Sequence, residues 1–392
     1  MLSFAVIVSN ESLPLFARTI RGIEWIAAAE LETRCSARVT KIRHREVEFE
    51  VAELRQTLLQ VGTVDDVFLK VGFLVGLDHT RATLAELSRR ATKIDFEMIK
   101  HLEVLREIPA QLRFDVIASF LGRRNYNRYE VEDSLADAIS RITNWSYEPQ
   151  RTKDSAPIDL SFRIHLADDE AIIGVRLSRI PLHRRTYKTA SIIATLHPPL
   201  AFAMVMLSDP ANQHNVLDPF CGVGTIPIEA LTLNPTLHAY GVDIDPESIT
   251  KANSNAESAK VNAEFTVGDA AHLSFADGAI DRIVSNPPWG QAVEIKGQLR
   301  SDPLPFFEEI RRVSTDGASS VFLLASTSEF DELTKRSGLN RLLKIPVSLF
   351  GSWIDLTVLR TASEEERPLF DPRSVFGPAL YKYLNRAPRS QD

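Results

Sequence analysis

The stretch from Asn215 to Glu229, NVLDPFCGVGTIPIE, leaves the chain few folds to choose from. Asn215–Asp218 reads as a short apolar strand, Gly222 and Gly224 as a turn, and Thr225 onward as a helix capped by that threonine. Strand, glycine turn and helix make the opening unit of a doubly wound α/β sheet, where ligands lie beyond the carboxyl ends of the strands. The same alternation continues, with strands expected at 215–218, 238–243, 264–267, 280–285, 319–325, 342–350 and 353–360 and helices between the first five. The turn FGSW separates the last two, which are expected to form an antiparallel hairpin at one edge. A dinucleotide-binding sheet usually lacks that hairpin.

Three acids fall at three successive strand ends. Asp218 closes the first strand and can accept from a cationic amine. Asp243, in GVDIDP, closes the second and suits a ribose diol. Asp269, in GDA, follows the third and suits an adenine amino group. Phe220, Ile244 and Ala270 flank these acids and complete the expected cofactor-binding set with Gly222, Gly224, Thr225 and Asn286. Glycine at 222 and 224 lets backbone approach a ligand closely. The third glycine of a dinucleotide fingerprint is replaced by Pro227, so the pattern fits S-adenosylmethionine better than NAD.

The fourth strand ends in SNPPWG, residues 285–290. An exocyclic base amine is a poor nucleophile because its lone pair is delocalised into the ring. Two acceptors, the Asn286 side-chain oxygen and a backbone carbonyl of Pro287 or Pro288, can bind its two hydrogens and turn the lone pair outward. Proline has no N–H, so the carbonyl ridge stays rigid. Trp289 offers a face for stacking, worth about 1–3 kcal/mol per base. Asn286, Pro287, Pro288 and Trp289 are the expected catalytic set, and alignment rather than a metal governs such a displacement.

The chain has 392 residues, enough for two or three domains. Its two cysteines, Cys35 and Cys221, give neither a disulfide framework nor a zinc cluster. No uninterrupted apolar run has membrane-spanning length, and MLSFAVIVSNESLPLF lacks a basic leader, so a cytoplasmic protein is expected. The net charge of -7 is unevenly spread: residues 1–190 hold 28 Lys and Arg against 27 Asp and Glu, residues 191–392 hold 17 against 25. A polyanion would be gripped mainly by the N-terminal half.

That half reads as α+β. Ile23, Ile26, Ala27 and Leu31 have helical spacing within 20–34, and strand-like alternation follows at 39–51. Further expectations are a helix at 52–61, a strand at 67–75, helical structure over 82–106 with a break near Asp95, a strand at 112–120, a helix at 131–142 and a hairpin turned by DDE at 168–170. The loop LGRRNYNRY carries Arg123, Arg124, Tyr126 and Arg128, and HRRTYK carries Arg184, Arg185 and Lys188. The first suits phosphates or unpaired ends, with a solvated loop as the plainer reading; the second suits the phosphate backbone, with salt bridges to the acidic domain as the plainer reading.

The pair DPFCGVGTIPIE and NPPWG resembles the Rossmann-like class I methyltransferases that modify exocyclic base amines. With TIRGIEWIAAAELE, FDVIASFLGRRNYNRYEVEDSLADAI and IIGVRLSRIPLHRRTYK, the wider resemblance is to the THUMP-domain RNA methyltransferases. It implies an N-terminal ferredoxin-like region over 1–60, a THUMP-like RNA-binding domain over 61–178, a linker over 179–190, a methyltransferase domain over 191–365 and a tail over 366–392. It also implies N2-methylguanosine formation in tRNA, with S-adenosylmethionine as cofactor. Where that family carries Tyr or Phe after the prolines, this chain has Trp289. Three other readings stay open: a DNA N6-adenine or N4-cytosine methyltransferase, a ribosomal RNA guanine-N2 methyltransferase, and a non-catalytic RNA-binding factor.

Overall fold

The protein is seen in a computed structural model that describes residues 12–152, 157–192, 195–210, 213–288, 297, 299, 302–324, 328–349, 351–361 and 376–388. Its chain divides into two units. One comprises the residues up to Arg18, Arg34–Val61 and Asp66–Leu182, and the other comprises Thr19–Thr33, Gly62–Asp65 and His183–Asp392.

The first unit is built on an eight-stranded sheet. In chain order its elements are β1 (Leu13–Arg18), helix α1 (Glu24–Cys35, of which the residues to Thr33 belong to the second unit), β2 (Arg38–Arg43), β3 (Glu46–Val51) and β4 (Asp66–Leu74). Then come α2 (Ala82–Arg90), β5 (Arg113–Phe120), α3 (Arg128–Thr143), β6 (Ser146–Tyr147), β7 (Leu160–Ala167) and β8 (Glu170–Arg176). The strand order is β2-β3-β1-β4-β8-β7-β5-β6. Asn127 caps α3: its side chain accepts from the Tyr129 and Glu130 N–H groups, and Glu130 reaches back to the Asn127 N–H. The helix ends where Asn144 takes a left-handed φ of 61°.

Several local expectations are corrected here. The alternation over 39–51 is a hairpin of two strands, turned at Arg45 with φ 58°. The helix expected at 52–61 is a 3-10 turn at Gln56–Gln60. Helical structure over 82–106 is α2 followed by 3-10 segments Ala91–Lys93 and Glu97–Val104. Strand β1 had no counterpart among the expected elements, yet it pairs with both β3 and β4.

The second unit holds α4 (Pro198–Ser208), β9 (Asn215–Asp218), α5 (Thr225–Leu233), β10 (His238–Asp243), α6 (Pro246–Ala259), β11 (Glu264–Val267) and β12 (Ile280–Ser285). After these come α7 (Leu304–Val313), β13 (Ser314–Leu324), α8 (Ser328–Arg336), β14 (Leu339–Leu349), β15 (Ser352–Thr361) and α9 (Pro378–Leu384). The sheet order is β11-β10-β9-β12-β13-β15-β14; neighbours from β11 to β13 run parallel, and β15 is antiparallel to both β13 and β14. This is the doubly wound sheet with the expected terminal hairpin.

No helix joins β11 to β12, contrary to expectation. The backbone of that segment is held instead by side chains of α7. Arg312 donates to the Leu273 and Phe275 carbonyls, and Glu309 accepts from the Leu273 N–H. With those groups satisfied, the segment has no need of helical hydrogen bonds. Helix α4 is apolar on nearly every side and correspondingly buried. Phe220, Phe306, Phe307 and Phe322 pack beneath the carboxyl ends of the strands, with Phe306 centred 5.2 Å from Phe220 and 5.9 Å from Phe322.

A buried ion pair braces α5. Glu229, fully buried, accepts from the Arg185 guanidinium at 2.9 and 3.1 Å and from the Tyr187 hydroxyl at 2.6 Å. Arg185 also donates to the Gly62 carbonyl. Burial pushes the Tyr187 hydroxyl well above its ordinary range, and the Glu229 charge adds to the effect. Removing one partner of such a pair leaves the other charged and desolvated. Glu229→Ala is therefore expected to lower stability by about 3–5 kcal/mol in urea denaturation. The double variant Glu229→Leu/Arg185→Met should lose much less.

Candidate active site

Four strand ends converge at one edge of the second sheet. Asp218 is the last residue of β9, Asp243 the last of β10, Asp269 lies two residues past β11, and Asn286 follows β12 directly. Parallel pairing sets their level: Gly241 stands opposite Asp218, and Val267 opposite Asp243. Main-chain bonds cross between the loops. The Cys221 N–H donates to the Val242 carbonyl at 2.9 Å, and the Gly268 N–H to the Asp243 carbonyl at 3.0 Å.

The glycine turn is tight. Gly222 and Gly224 have φ of 50° and 80°. A Cβ on Gly224 would fall 2.7 Å from the Phe265 ring and 3.1 Å from the Ala252 methyl, so this turn tolerates no side chain there. Gly224 itself is the N-cap of α5 and Thr225 its first helical residue, which corrects the expected capping role of Thr225.

Each acid is held differently. Asp218 is 2 % exposed, and its Oδ1 accepts from the Ser285 hydroxyl at 2.6 Å and the Phe220 N–H at 3.1 Å. Its Oδ2 makes no hydrogen bond among the described residues. Burial pushes the Asp218 carboxyl up to about 7; the hydrogen bonds from Ser285 and Phe220 pull it down, and the Asp243 charge adds a small upward push. Asp243 receives the Gly222 N–H on Oδ2 and the Asp245 N–H on Oδ1, each at 2.9 Å. Asp269 Oδ1 accepts from the Ala271 N–H at 3.0 Å. Ile244 is 40 % exposed beside Asp243 and offers an apolar face, while Ala270 is buried and Phe220 packs on Phe306.

On the β12 side, Asn286 is half-buried and its side-chain amide makes no hydrogen bond among the described residues; Pro287 is buried. Trp289 and Gly290 lie outside the described residues. Cys221, just before the glycine turn, is buried, and burial raises its thiol well above the ordinary range.

Two residues not singled out from the sequence organise this edge. Ser285 joins β9, through Asp218, to the strand that precedes Asn286. Asn255 of α6, fully buried, accepts from the Thr189 and Ala190 N–H groups and donates to the Ala190 and Val223 carbonyls. It thus fastens the segment before α4 to the glycine turn. An asparagine inside a helix pattern gives little warning of such a role.

The basic clusters are dispersed. Arg123 and Arg128 are exposed in the first unit, and Arg128 donates to the Tyr129 hydroxyl at 2.7 Å. Arg124 is turned inward to the Asp78 and Asp168 carbonyls. Tyr126 is 5 % exposed, so its ring has no free face for a base, a correction to its expected role. The exposed aromatic nearby is Tyr129, with Arg128 and Arg151 over its ring at 4.6 and 5.0 Å. In the second unit Arg184 is exposed, Lys188 donates to the Leu196 carbonyl, and Arg185 is committed to Glu229 rather than to an RNA phosphate.

The donor set fits S-adenosylmethionine: an open carboxylate oxygen for an ammonium, a second acid, an apolar face and a third acid in succession along one edge. Such a sheet and edge define a Rossmann-like class I methyltransferase domain. Residues 185–348 match the family model described as RMKL-like, methyltransferase domain. The chain is 34% identical over 184 residues to a tRNA (guanine(6)-N2)-methyltransferase of Thermus thermophilus, covering 45% of this chain and 51% of that one. To human tRNA (guanine(6)-N(2))-methyltransferase THUMP3 it is 26% identical over 236 residues, covering 56% and 45%. It thus spans about half the length of these curated relatives. Among solved structures, TrmN from Thermus thermophilus superposes with a TM-score of 0.71 at 26% identity, covering 89% of this chain and 99% of that one. Residues 185–348 are thus similar to a methyltransferase domain, and the chain as a whole resembles tRNA guanine-N2 methyltransferases of the THUMP type.

An ammonium can pair only with ionised Asp218. Binding of S-adenosylhomocysteine, which carries the same ammonium, is therefore expected to weaken as pH falls below about 7, by up to about tenfold per unit. Calorimetry from pH 5.5 to 9 should show this. Asp218→Asn should flatten the profile, and Ser285→Ala should move its midpoint upward, because the hydrogen bond it removes favours the ionised form.

Proposed function

We propose that this chain is an S-adenosylmethionine-dependent RNA methyltransferase that acts on the exocyclic N2 of a guanosine in tRNA. The observation that carries this reading is Asn286: its amide is without a hydrogen bond among the described residues, at the strand end beside Asp218. The relatives named as tRNA guanine-N2 methyltransferases support the choice of base and of RNA. Such a substrate goes with a cytoplasmic setting.

Asp218 would hold the ammonium of the cofactor through Oδ2, Asp243 the ribose hydroxyls and Asp269 the adenine amine, with Ile244 against the ring. When bound, S-adenosylmethionine supplies an electrophilic methyl group. The chain's own contribution is alignment. Asn286 Oδ1 and the backbone carbonyl of Pro287 or Pro288 accept the two hydrogens of the guanine amine. Both acceptors draw positive charge developing on that nitrogen, and the lone pair is left facing the methyl group. Trp289 would stack on the base. Arg123, Arg128 and Tyr129 are the groups in the first unit best placed by their exposure to meet RNA, and Arg184 in the second. The division into a ferredoxin-like region over 1–60 and a THUMP-like domain over 61–178 is part of the same proposal.

Transfer of labelled methyl from S-adenosylmethionine to unmodified tRNA tests the reading. Asn286→Ala is expected to lower kcat at least a hundredfold, on the order of losing one oriented acceptor. S-adenosylhomocysteine affinity should stay within about threefold. Equal turnover by the variant would remove Asn286 from the chemistry.

A further inference from the structure

Trp353 is 52 % exposed, although it is a large aromatic at the start of a sheet strand. We propose that Trp353 and Arg21 form a second nucleotide-binding site, in which the indole stacks on a base of the substrate RNA and the guanidinium meets its phosphate. This rests on the RNA reading above and extends it to residues outside the methyl-transfer site.

Register locates the pair. Strand β15 is antiparallel to β13, with Asp355 opposite Leu324 at the carboxyl end of β13, while Ser285 of β12 stands opposite Phe322. Trp353 lies two residues before Asp355, so it projects past the same sheet edge that carries Asn286. The two are separated by two strand spacings, about 10 Å, and by about 10 Å along the strands. A few nucleotides of single strand cover that distance.

The arginine is fixed beside the tryptophan by backbone, not by a carboxylate. Its guanidinium carbon sits 4.5 Å from the Trp353 ring centroid. The Arg21 carbonyl accepts from the Ser348 N–H at 3.0 Å, and Ser348 is the ladder partner of Trp353. Gly22, with φ 107°, makes the approach possible: a Cβ there would fall 2.4 Å from the Pro346 carbonyl oxygen. Arg21 is exposed and has no carboxylate partner among the described residues, so its charge is available to an anion. An arginine over one face of an indole, with about half of the residue still open, has the chemistry of a stacking platform with a phosphate contact. The neighbouring cation, Lys344, is instead paired with Asp355 at 3.2 Å.

The test compares the full chain with Trp353→Ala, Trp353→Phe and Arg21→Ala. It reads tRNA affinity by anisotropy, methyl transfer kinetics, S-adenosylhomocysteine affinity and oligomeric state. Trp353→Ala should raise KM for tRNA about fivefold or more, with kcat and S-adenosylhomocysteine affinity within about twofold, and Trp353→Phe should recover most of the loss. Arg21→Ala should weaken binding and reduce its dependence on salt. Unchanged KM in Trp353→Ala, or a parallel loss of S-adenosylhomocysteine affinity, would overturn the proposal. A wild-type dimer that Trp353→Ala turns into a monomer would overturn it too, since a second copy would then cover the indole. If wild type binds no RNA, the functional reading fails together with this site; if it binds and methylates RNA while Trp353→Ala does so equally well, only this site fails.

Discussion

The hydrogen bond from Ser285 to Asp218 joins the two halves of the site, and much of the second unit is arranged so that it can form. It requires β9 and β12 to be neighbours, parallel and level at their carboxyl ends. That adjacency comes from the reversal of strand order at β9, the place where doubly wound sheets leave a crevice. One strand contributes the acid that would meet the ammonium, and the other carries Asn286 one residue further on. The cofactor and base positions proposed above would thereby be tied through one side-chain contact.

Around that contact the structure sets burial against charge. Asp218 carries a desolvation cost, offset in part by two donors on one oxygen, while the other oxygen has no donor among the described residues. Glu229 and Arg185 are taken out of water together, with Tyr187 and the Gly62 carbonyl completing their hydrogen bonds. Asn255 satisfies backbone groups of a segment that has no secondary structure of its own. In each case a buried polar group specifies one geometry for the turn above it, at a place where apolar packing would permit several.

The second sheet was largely legible in the chain. Asp218, Asp243, Asp269 and Asn286 could be put at strand ends because short apolar runs stop at them, and a parallel sheet has few ways to arrange such runs. The terminal hairpin was readable from FGSW. Ser285 and Asn255 were not, because a serine before Asn-Pro-Pro or an asparagine in a helix becomes informative only when its partner 67 or 65 residues away is known. The missing helix between β11 and β12 had the same cause: its backbone partners, Glu309 and Arg312, come from a later helix. In the first unit, β1 and the 3-10 segments were unreadable because their hydrogen bonds are distant or short-ranged rather than periodic. Tyr126 and Tyr129 lie three positions apart in one polar stretch that enters α3, and local sequence cannot say which of them is buried.

Nucleoside mass spectrometry after incubation with labelled S-adenosylmethionine addresses the central claim most directly, using separate pools of unmodified tRNA, ribosomal RNA and DNA. N2-methylguanosine recovered from the tRNA pool is the expected product. Methyladenine or methylcytosine from DNA, with no label in RNA, would leave the strand-end chemistry standing and contradict the substrate.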